Sequence, residues 1–209
     1  MKTKLLITVF LLAFTVSLVM ATPVRVMMQH LEGPLGLTHL PVTPQNLSGN
    51  LFNGSADLPW EGNVYTLTWQ FASPQLLTGH LSYDFELTSA HVALTGLLGY
   101  RPGSYVLRDV SGYTDLTPLQ PYLQPYNNTV VGGQLWWQGV SMRWLPDPSH
   151  LWADGMVDLH TGSAQFSWLD GNRHSVDLPV LQGVFDTDEA GRVTAEVRDG
   201  SSNQPILQA

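Results

Sequence analysis

Residues 77–87 read LTGHLSYDFEL, and every second position carries a leucine, tyrosine, phenylalanine or glycine. The positions between them carry threonine, histidine, serine and two acids. Because neighbouring side chains of a β-strand point to opposite faces, this alternation predicts a strand with one buried face and one solvated face. A helix would distribute the same apolar residues around its whole axis.

The run before this stretch repeats the pattern. Leu67, Trp69 and Phe71 alternate with more polar neighbours, and residues 72–75, which include Pro74, form a break of hairpin length. The two runs therefore predict an antiparallel hairpin with one buried face.

Later segments alternate in the same way and are separated by turn residues. Their apolar positions are 140, 142 and 144; 157 and 159; 164, 166 and 168; 176, 178 and 180; and 193, 195 and 197. Asp170-Gly171 predicts a tight hairpin between two of these strands. We therefore predict an all-β fold, in which antiparallel strands form a sandwich, a meander or an incomplete barrel.

The N-terminus carries a different pattern. Lys2 and Lys4 precede an uncharged apolar stretch at residues 5–24. At about 1.5 Å per residue, a helix of this length spans the roughly 30 Å hydrocarbon core of a bilayer, and the flanking lysines favour a cytoplasmic N-terminus. We predict a retained transmembrane helix over residues 1–24, with an apolar surface formed by Leu5, Leu6, Phe10, Leu11, Leu12, Phe14 and Leu18.

A cleaved signal peptide is the alternative for this segment. Val19 and Ala21 occupy the small-residue positions of a cleavage site before Thr22. Both interpretations place residues 25–209, a β-rich domain, outside the cytoplasm.

Charge and composition exclude several classes of partner. The chain has 17 acidic residues against 9 basic ones, a formal net charge of −8, and no cysteine. Nucleic acids and anionic membrane surfaces both require a basic footprint, so we expect neither as a partner. Without cysteine, the domain must be stabilised by burial and backbone pairing instead of disulfides.

No residue pattern points to catalysis, a cofactor or a metal. The seven histidines never fall at the i, i+4 spacing of a helical metal site, and no nucleophile elbow or phosphate-binding loop is present. Asp158 and His160 share one face of a predicted strand, but one such pair is an incomplete ligand set. We predict a non-enzymatic protein with no cofactor and no metal.

Trp136 and Trp137 are adjacent in a predicted strand, so their side chains point to opposite faces and one of them leaves the core. We predict a partner contact at one of the two. The segments 48–54 and 132–139 both place a leucine-aromatic pair between glycines. They suggest two similar halves, at about 45–115 and 127–209, with chance as the competing explanation.

Two segments resemble the type II secretion system protein N family. Residues 48–56, SGNLFNGSA, match its G-T-L-W-x-G-x-A segment, and residues 67–79, LTWQFASPQLLTG, match its W-x-L-x-P-x-x-L-L-x-G segment. Asn50 and Phe52 replace the usual threonine and tryptophan, and Ser73 is an insertion. The matching positions are Gly49, Leu51, Phe52, Gly54, Trp69, Pro74, Leu76, Leu77 and Gly79, where Phe52 is the aromatic substitute.

The resemblance implies a single-pass inner-membrane protein of Gram-negative bacteria with its main domain in the periplasm. Such a protein assists the export of folded periplasmic proteins across the outer membrane, through contacts with other secretion-system proteins, and no catalytic residue is implied. Two alternatives stay open: a periplasmic β-groove protein that handles lipids, and a secreted β-sandwich that binds carbohydrate through exposed tryptophans.

Overall fold

The computed structural model describes residues 42–72, 81–101, 103–120, 130–145, 151–167, 172–188, 191–202 and 204–208, together with 21–26 and positions 7, 10, 11, 14, 17 and 18. The chain divides into two compact units, Met1–Phe71 (unit 1) and Ala72–Ala209 (unit 2). Both contain antiparallel strands, so the predicted all-β class is confirmed.

The N-terminal positions that the structure describes are mostly helical, and they include the exposed side chains of Phe10, Leu11, Phe14 and Leu18. The rings of Phe10 and Phe14 stack with centroids 6.3 Å apart. Within the described residues, no helix combines the length and apolar character needed to cross a bilayer, so the predicted anchor is not confirmed. Lys2, Lys4, Leu5, Leu6 and Leu12 lie outside the described residues.

Unit 1 contains a three-stranded meander of β1 (Gln45–Gly49), β2 (Asn53–Trp60) and β3 (Asn63–Phe71), with β2 in the middle. A two-residue turn, Glu61-Gly62, joins β2 to β3. Both turn residues have positive φ, 51° and 77°, as in a type I′ hairpin whose twist matches the flanking strands. Tyr65 is buried and Val64 is exposed, so the alternation of β3 follows the sequence pattern.

Unit 2 contains nine strands in the described residues: β4 (Leu81–Thr88), β5 (Val92–Arg101), β6 (Ser104–Asp115), β7 (Val130–Trp144), β8 (Leu151–Ser167), β9 (Arg173–Asp177), β10 (Leu181–Thr187), β11 (Val193–Asp199) and β12 (Pro205–Gln208). They form an open antiparallel sheet in the order β4-β5-β6-β7-β8-β10-β11-β12, and β9 pairs with β8. Of the three predicted arrangements, the meander is the one this order follows.

Strand β8 has two partners along one edge. Its C-terminal part pairs with β9, from Ser163↔Asp177 to Ser167↔Arg173, and an earlier part pairs with β10. The antiparallel pairing predicted for the strands on either side of Asp170-Gly171 is therefore confirmed, while the tight turn itself and Trp168 lie outside the described residues. The two strands predicted at 157–159 and 164–168 are parts of this single strand, and β9 ends before the predicted position 178.

Bulges interrupt the three central strands, β6, β7 and β8. Asp109 of β6 has a φ of 52°, Gly139 of β7 a φ of 61°, and Thr161 of β8 a φ of 48°. Two serine hydroxyls brace the first two bulges, since Ser141 Oγ accepts from Asp109 N at 3.2 Å and Ser111 Oγ accepts from Gly139 N at 3.2 Å. Each bulge bends its strand and changes which residues face the core.

The core of unit 2 lies on one face of the sheet. Val110, Val140 and Val157 form its buried centre on β6, β7 and β8, and Val140 is 0% exposed. Partly buried side chains from the neighbouring strands pack around them: Phe85, Leu94, Leu107, Leu135, Trp137, Met142 and Phe185. Phe85 belongs to the alternating stretch and packs against the core, as predicted for its apolar positions, while Leu77 and Gly79 of that stretch lie outside the described residues. We call this side of the sheet the apolar face.

A short 3-10 helix, Thr117–Leu119, follows β6. Asp115 Oδ1 accepts hydrogen bonds from Thr117 N at 2.8 Å and Thr117 Oγ1 at 2.6 Å, and its Oδ2 lies 3.6 Å from His91 Nδ1. Burial acts to raise the pKa of Asp115, but the Thr117 hydrogen bonds and His91 outweigh it and hold the pKa below 3.8. The charged carboxylate therefore fixes the end of β6.

Candidate functional site

The first family-like segment meets residues 67–71 of the second in unit 1. Gly54 of β2 is the register partner of Trp69 of β3, and Trp69 Nε1 donates to the Asn50 carbonyl at 3.2 Å. The Asn50 side chain closes the turn, because its Oδ1 accepts from Phe52 N at 2.8 Å and from Asn53 N at 3.0 Å. The first segment therefore forms a tight turn that the tryptophan of the second segment covers.

Steric constraints explain why glycine occupies positions 49 and 54 of this turn. Gly49 has a φ of 85°, which side chains of L-residues rarely adopt, and a Cβ on Gly54 would overlap the Trp69 ring. The rings of Phe52 and Phe71 meet edge to face, with centroids 5.2 Å apart. These contacts give the segment a structural role in unit 1. Pro74, Leu76, Leu77 and Gly79 lie outside the described residues, while Leu51 is half-buried beside the turn.

The apolar face of unit 2 continues from its buried centre to an exposed end. Tyr100 of β5, Tyr105 of β6 and Trp144 of β7 are successive register partners, so they form a row across three strands, which we call the aromatic row. The ring centroids of Tyr100 and Tyr105 are 5.4 Å apart, and those of Tyr105 and Trp144 are 5.7 Å apart. Leu151 of β8 is the next partner in the row.

The aromatic row lies on the same face as the core. Trp144 is two residues beyond Met142, and Tyr105 is two residues before Leu107, so each shares the side of the sheet that its core neighbour occupies. Exposure rises along β7 from 0% at Val140 to 54% at Trp144. Within the described part of unit 2, the strands form a single layer, and this end of the apolar face meets solvent.

The chemistry of the row suits binding. Tyrosine and tryptophan combine a large apolar ring with one polar group, and they dominate contact energetics at many interfaces. Leu98, which is also exposed, extends the patch on β5. Sequence reasoning placed Trp144 in a strand and missed the row, because its members are neighbours only through the register of β5, β6 and β7.

Trp136 and Trp137 point to opposite faces, as predicted. Trp137 packs against the core, and its Nε1 donates to Thr114 Oγ1 at 3.0 Å. Trp136 lies on the other side of the sheet, where it is exposed and contacts the rings of Tyr113 and His160 at centroid distances of 5.7 and 6.3 Å. The partner contact predicted for one of the two stays a prediction, and Trp136 is the one with free surface.

Asp158 is buried on the face opposite the core and is held by two amides. Its carboxylate accepts from Gln138 Nε2 at 2.5 Å and from Gln182 Nε2 at 3.1 Å. The side chain of His160 contacts Trp136 instead. In the part of the chain that the structure describes, no group of three or more histidines and acids could hold a metal ion.

The other shifted pKa values have local causes. Burial raises the pKa of Tyr83, which is the register partner of Leu98 on the apolar face. The hydrogen bond with Arg198 lowers the pKa of Glu196, and hydrogen bonds from Ser201 and Ser202 lower that of Asp199. These acids lie at the opposite end of the unit 2 strand order from Tyr83. Nothing in these shifts marks a proton-transfer site.

No protein-family model, curated protein or solved structure matches this chain.

Proposed function

We propose that this protein is a non-enzymatic accessory component of a type II secretion system and that it binds a protein partner through the aromatic row of unit 2. The observation that carries the proposal is the continuation of the core face into the exposed rings of Tyr100, Tyr105 and Trp144. The two family-like segments in unit 1 support the assignment to secretion. Partners would be other proteins of the secretion system.

The size of the row is compatible with a binding hot spot. The three rings are 42%, 48% and 54% exposed. Since aromatic side chains bury about 150–250 Å² each, on the order of 100 Å² per ring remains to be covered. At about 25 cal/mol/Å², covering three rings gains roughly 7 kcal/mol before the costs of association are subtracted.

The contacts between neighbouring rings of the row favour rigid binding. Each ring contacts its neighbour, and each stands on a paired strand, so few rotamers are lost when a partner covers the patch. Hot spots are enriched in tryptophan and tyrosine near the centre of an interface. Trp144 has Tyr105 on one side and Leu151 on the other, so we place the centre of the contact there.

We propose a location at the inner membrane, with residues 1–24 as a retained anchor, the N-terminus in the cytoplasm and residues 25–209 in the periplasm. The support is the apolar stretch after Lys2 and Lys4. Amino-terminal sequencing of the membrane-bound protein tests it directly. A sequence that begins at residue 1 or 2 is expected, and one that begins at Thr22 would show a cleaved signal peptide.

Affinity capture with the full chain tests the partner contact. We expect Tyr105→Ala/Trp144→Ala to lose secretion-system proteins that the unchanged chain recovers, as identified by mass spectrometry. Trp60→Ala is the matched control, because Trp60 is 42% exposed on unit 1 and also contacts a tyrosine ring, that of Tyr65. Equal recovery by the two variants, or recovery of no secretion protein by the unchanged chain, would overturn the proposal.

A second function is favoured by one observation. Next to the aromatic row, Leu98, Leu107 and Met142 form a second row of register partners on the same face, and its aliphatic surface could hold an acyl chain. This arrangement supports the lipid-handling alternative. Extraction of the purified protein followed by mass spectrometry tests it, since stoichiometric phospholipid would favour lipid handling and its absence would favour a protein partner.

A further inference from the structure

The sheet of unit 2 has a second feature on the side opposite the aromatic row. A cavity of about 410 Å³ opens beside β6, β7 and β8, and its lining includes Val106, Arg108, Ser141, Arg143 and Trp152. Its volume falls within the range of small-molecule pockets, about 300–1,000 Å³. This cavity takes no part in the partner contact proposed for the aromatic row.

Strand register explains how the lining residues come together. Val106, Arg143 and Trp152 are successive register partners across β6, β7 and β8, so they form one row. Their backbone neighbours Tyr105 and Met142 belong to the opposite face, while Leu151, the first residue of β8, also borders the cavity. The row therefore places a guanidinium between an aliphatic side chain and an indole.

Strand alternation brings in the second guanidinium, since Arg108 lies two residues after Val106 and so on the same face of β6, and a bulge begins at Arg108. Leu107 pairs with Met142 and Val110 with Val140, so two residues of β6, Arg108 and Asp109, face one residue of β7, Ser141. Asp109 takes the strained φ of 52°, and Ser141 Oγ holds its N–H at 3.2 Å. Arg108 therefore lines the cavity beside Ser141, and the hydrogen bond from Asp109 N holds Ser141 Oγ in place there.

A side-chain hydrogen bond closes the cavity toward β10. Regular pairing of β8 with β10 ends at Gly155↔Phe185. Beyond it, Thr187 Oγ1 accepts from Ala153 N at 2.9 Å and donates to the Ala153 carbonyl at 2.8 Å, so the end of β10 stays against β8. Thr187 therefore forms a fixed wall of the cavity.

The charge of the cavity contrasts with that of the chain. Acidic residues outnumber basic ones by 17 to 9 overall, yet two arginines line this one cavity. Elsewhere Arg192 and Arg198 are paired with Asp188 and Glu196. Among the described residues, neither Arg108 nor Arg143 forms an ion pair. The carboxylates nearest in register are Asp109 and Asp154, which both lie opposite Ser141.

We propose that this cavity binds a small amphipathic carboxylate of the fatty-acid type. The two guanidinium groups would hold the carboxylate, since arginine presents a planar fork of donors that matches it. The apolar wall formed by Val106, Leu145 and Trp152 would hold the hydrocarbon part. Such a ligand needs both features, and the cavity supplies them side by side.

Titration of the folded full chain with sodium dodecanoate, followed by calorimetry and by tryptophan fluorescence, tests the proposal. We expect saturable binding that weakens roughly tenfold or more in Arg108→Gln and in Arg143→Gln, because each removes a charge-assisted partner. Arg173→Gln on exposed β9 is the control and should bind within about twofold of the unchanged chain. The fluorescence change should be largely lost in Trp152→Phe.

Three ligand comparisons on the unchanged chain need no variant. Dodecanol, which has the hydrocarbon part without the charge, and acetate, which has the charge without the hydrocarbon part, should both bind much more weakly than dodecanoate. Dodecanol as tight as dodecanoate, or inorganic phosphate as tight as dodecanoate, would overturn the proposal by showing a purely apolar or a simple anion site.

Two further outcomes would also overturn it. One is an unchanged affinity for dodecanoate in both arginine variants. The other is arginine-dependent binding to phosphatidylglycerol vesicles without binding of free dodecanoate, which would assign the guanidinium groups to a lipid headgroup. Because the cavity and the aromatic row lie on opposite faces, failure here leaves partner capture by Tyr105→Ala/Trp144→Ala as an independent result.

Discussion

Substitution of Val140 tests whether the apolar face of unit 2 is the structural core. Among the large hydrophobic side chains of the described residues, Val140 is the one that is less than 2% exposed. Its register partner Val110 is also buried. Val140→Ala removes two methyl groups, worth roughly 1.6 kcal/mol at about 0.8 kcal/mol per buried carbon. The residual cavity of roughly 45 Å³ adds about 1 kcal/mol at about 24 cal/mol/Å³.

The expected loss in the free energy of unfolding is therefore about 2.5 kcal/mol, measured by urea denaturation followed by circular dichroism. Val176→Ala is the matched control, since Val176 is 46% exposed on β9 and should cost less than about 0.5 kcal/mol. In the double variant with Val110→Ala, the two losses should not add, because the residues are in contact across the ladder. A Val140→Ala loss no larger than that of Val176→Ala would refute the assignment of the core.

Two further substitutions test local geometry. Gly54→Ala should destabilise unit 1 by roughly 2 kcal/mol or more in the same urea assay, because the added Cβ overlaps the Trp69 ring. Gly99→Ala is the control, since its added Cβ would make only ordinary contacts, and it should change stability by less than about 0.5 kcal/mol. Equal losses in the two variants would contradict this steric explanation. Asp115→Ala should cost about 1 kcal/mol at pH 7 through loss of its hydrogen bonds. The pKa of Asp115 is lowered to below 3.8 in the folded state, so its carboxylate stabilises the fold above that pH. This stabilisation is lost as the pH falls through the folded-state pKa. The difference in stability between Asp115→Ala and the unchanged chain should therefore shrink in acid. A difference that is constant with pH, or an equal loss in the exposed Asp84→Ala, would contradict this role.

The strands that sequence reasoning found are those with uninterrupted alternation. β3 and β4 keep one phase along their whole described length, so the period-2 pattern identifies both the strand and its buried face. β5 was not predicted, because Gly96 and Gly99 remove side chains from its pattern. β6 was not predicted either, since the bulge at Arg108 and Asp109 shifts the alternation halfway along the strand.

The β2–β3 hairpin was missed for a different reason. Its turn is Glu61-Gly62, and glutamate is not a residue that a type I′ turn favours, since both central positions need positive φ. The two segments that look alike in sequence, 48–54 and 132–139, adopt different conformations: the first is a strand end and a turn, and the second lies within β7. Local sequence similarity between the two segments therefore did not imply similar local structure.

The two binding surfaces depend on register, which the sequence does not reveal. Tyr100, Tyr105 and Trp144 are up to 44 positions apart and meet because β5, β6 and β7 align them. Arg108 and Arg143 share a cavity because Val106 pairs with Arg143 and Arg108 follows Val106 on the same face of β6. The adjacent pair Trp136 and Trp137 was accessible to prediction, since alternation within one strand needs no knowledge of its neighbours.

Photocrosslinking in living cells tests the central claim, that the exposed end of the apolar face contacts a secretion-system protein. A benzophenone amino acid would replace Trp144 in one full-length variant and Trp60 in another, and the adducts would be identified by mass spectrometry. We expect an adduct with a secretion-system protein from position 144 and none from position 60. Identical adducts from both positions, or adducts with lipid alone at position 144, would contradict it.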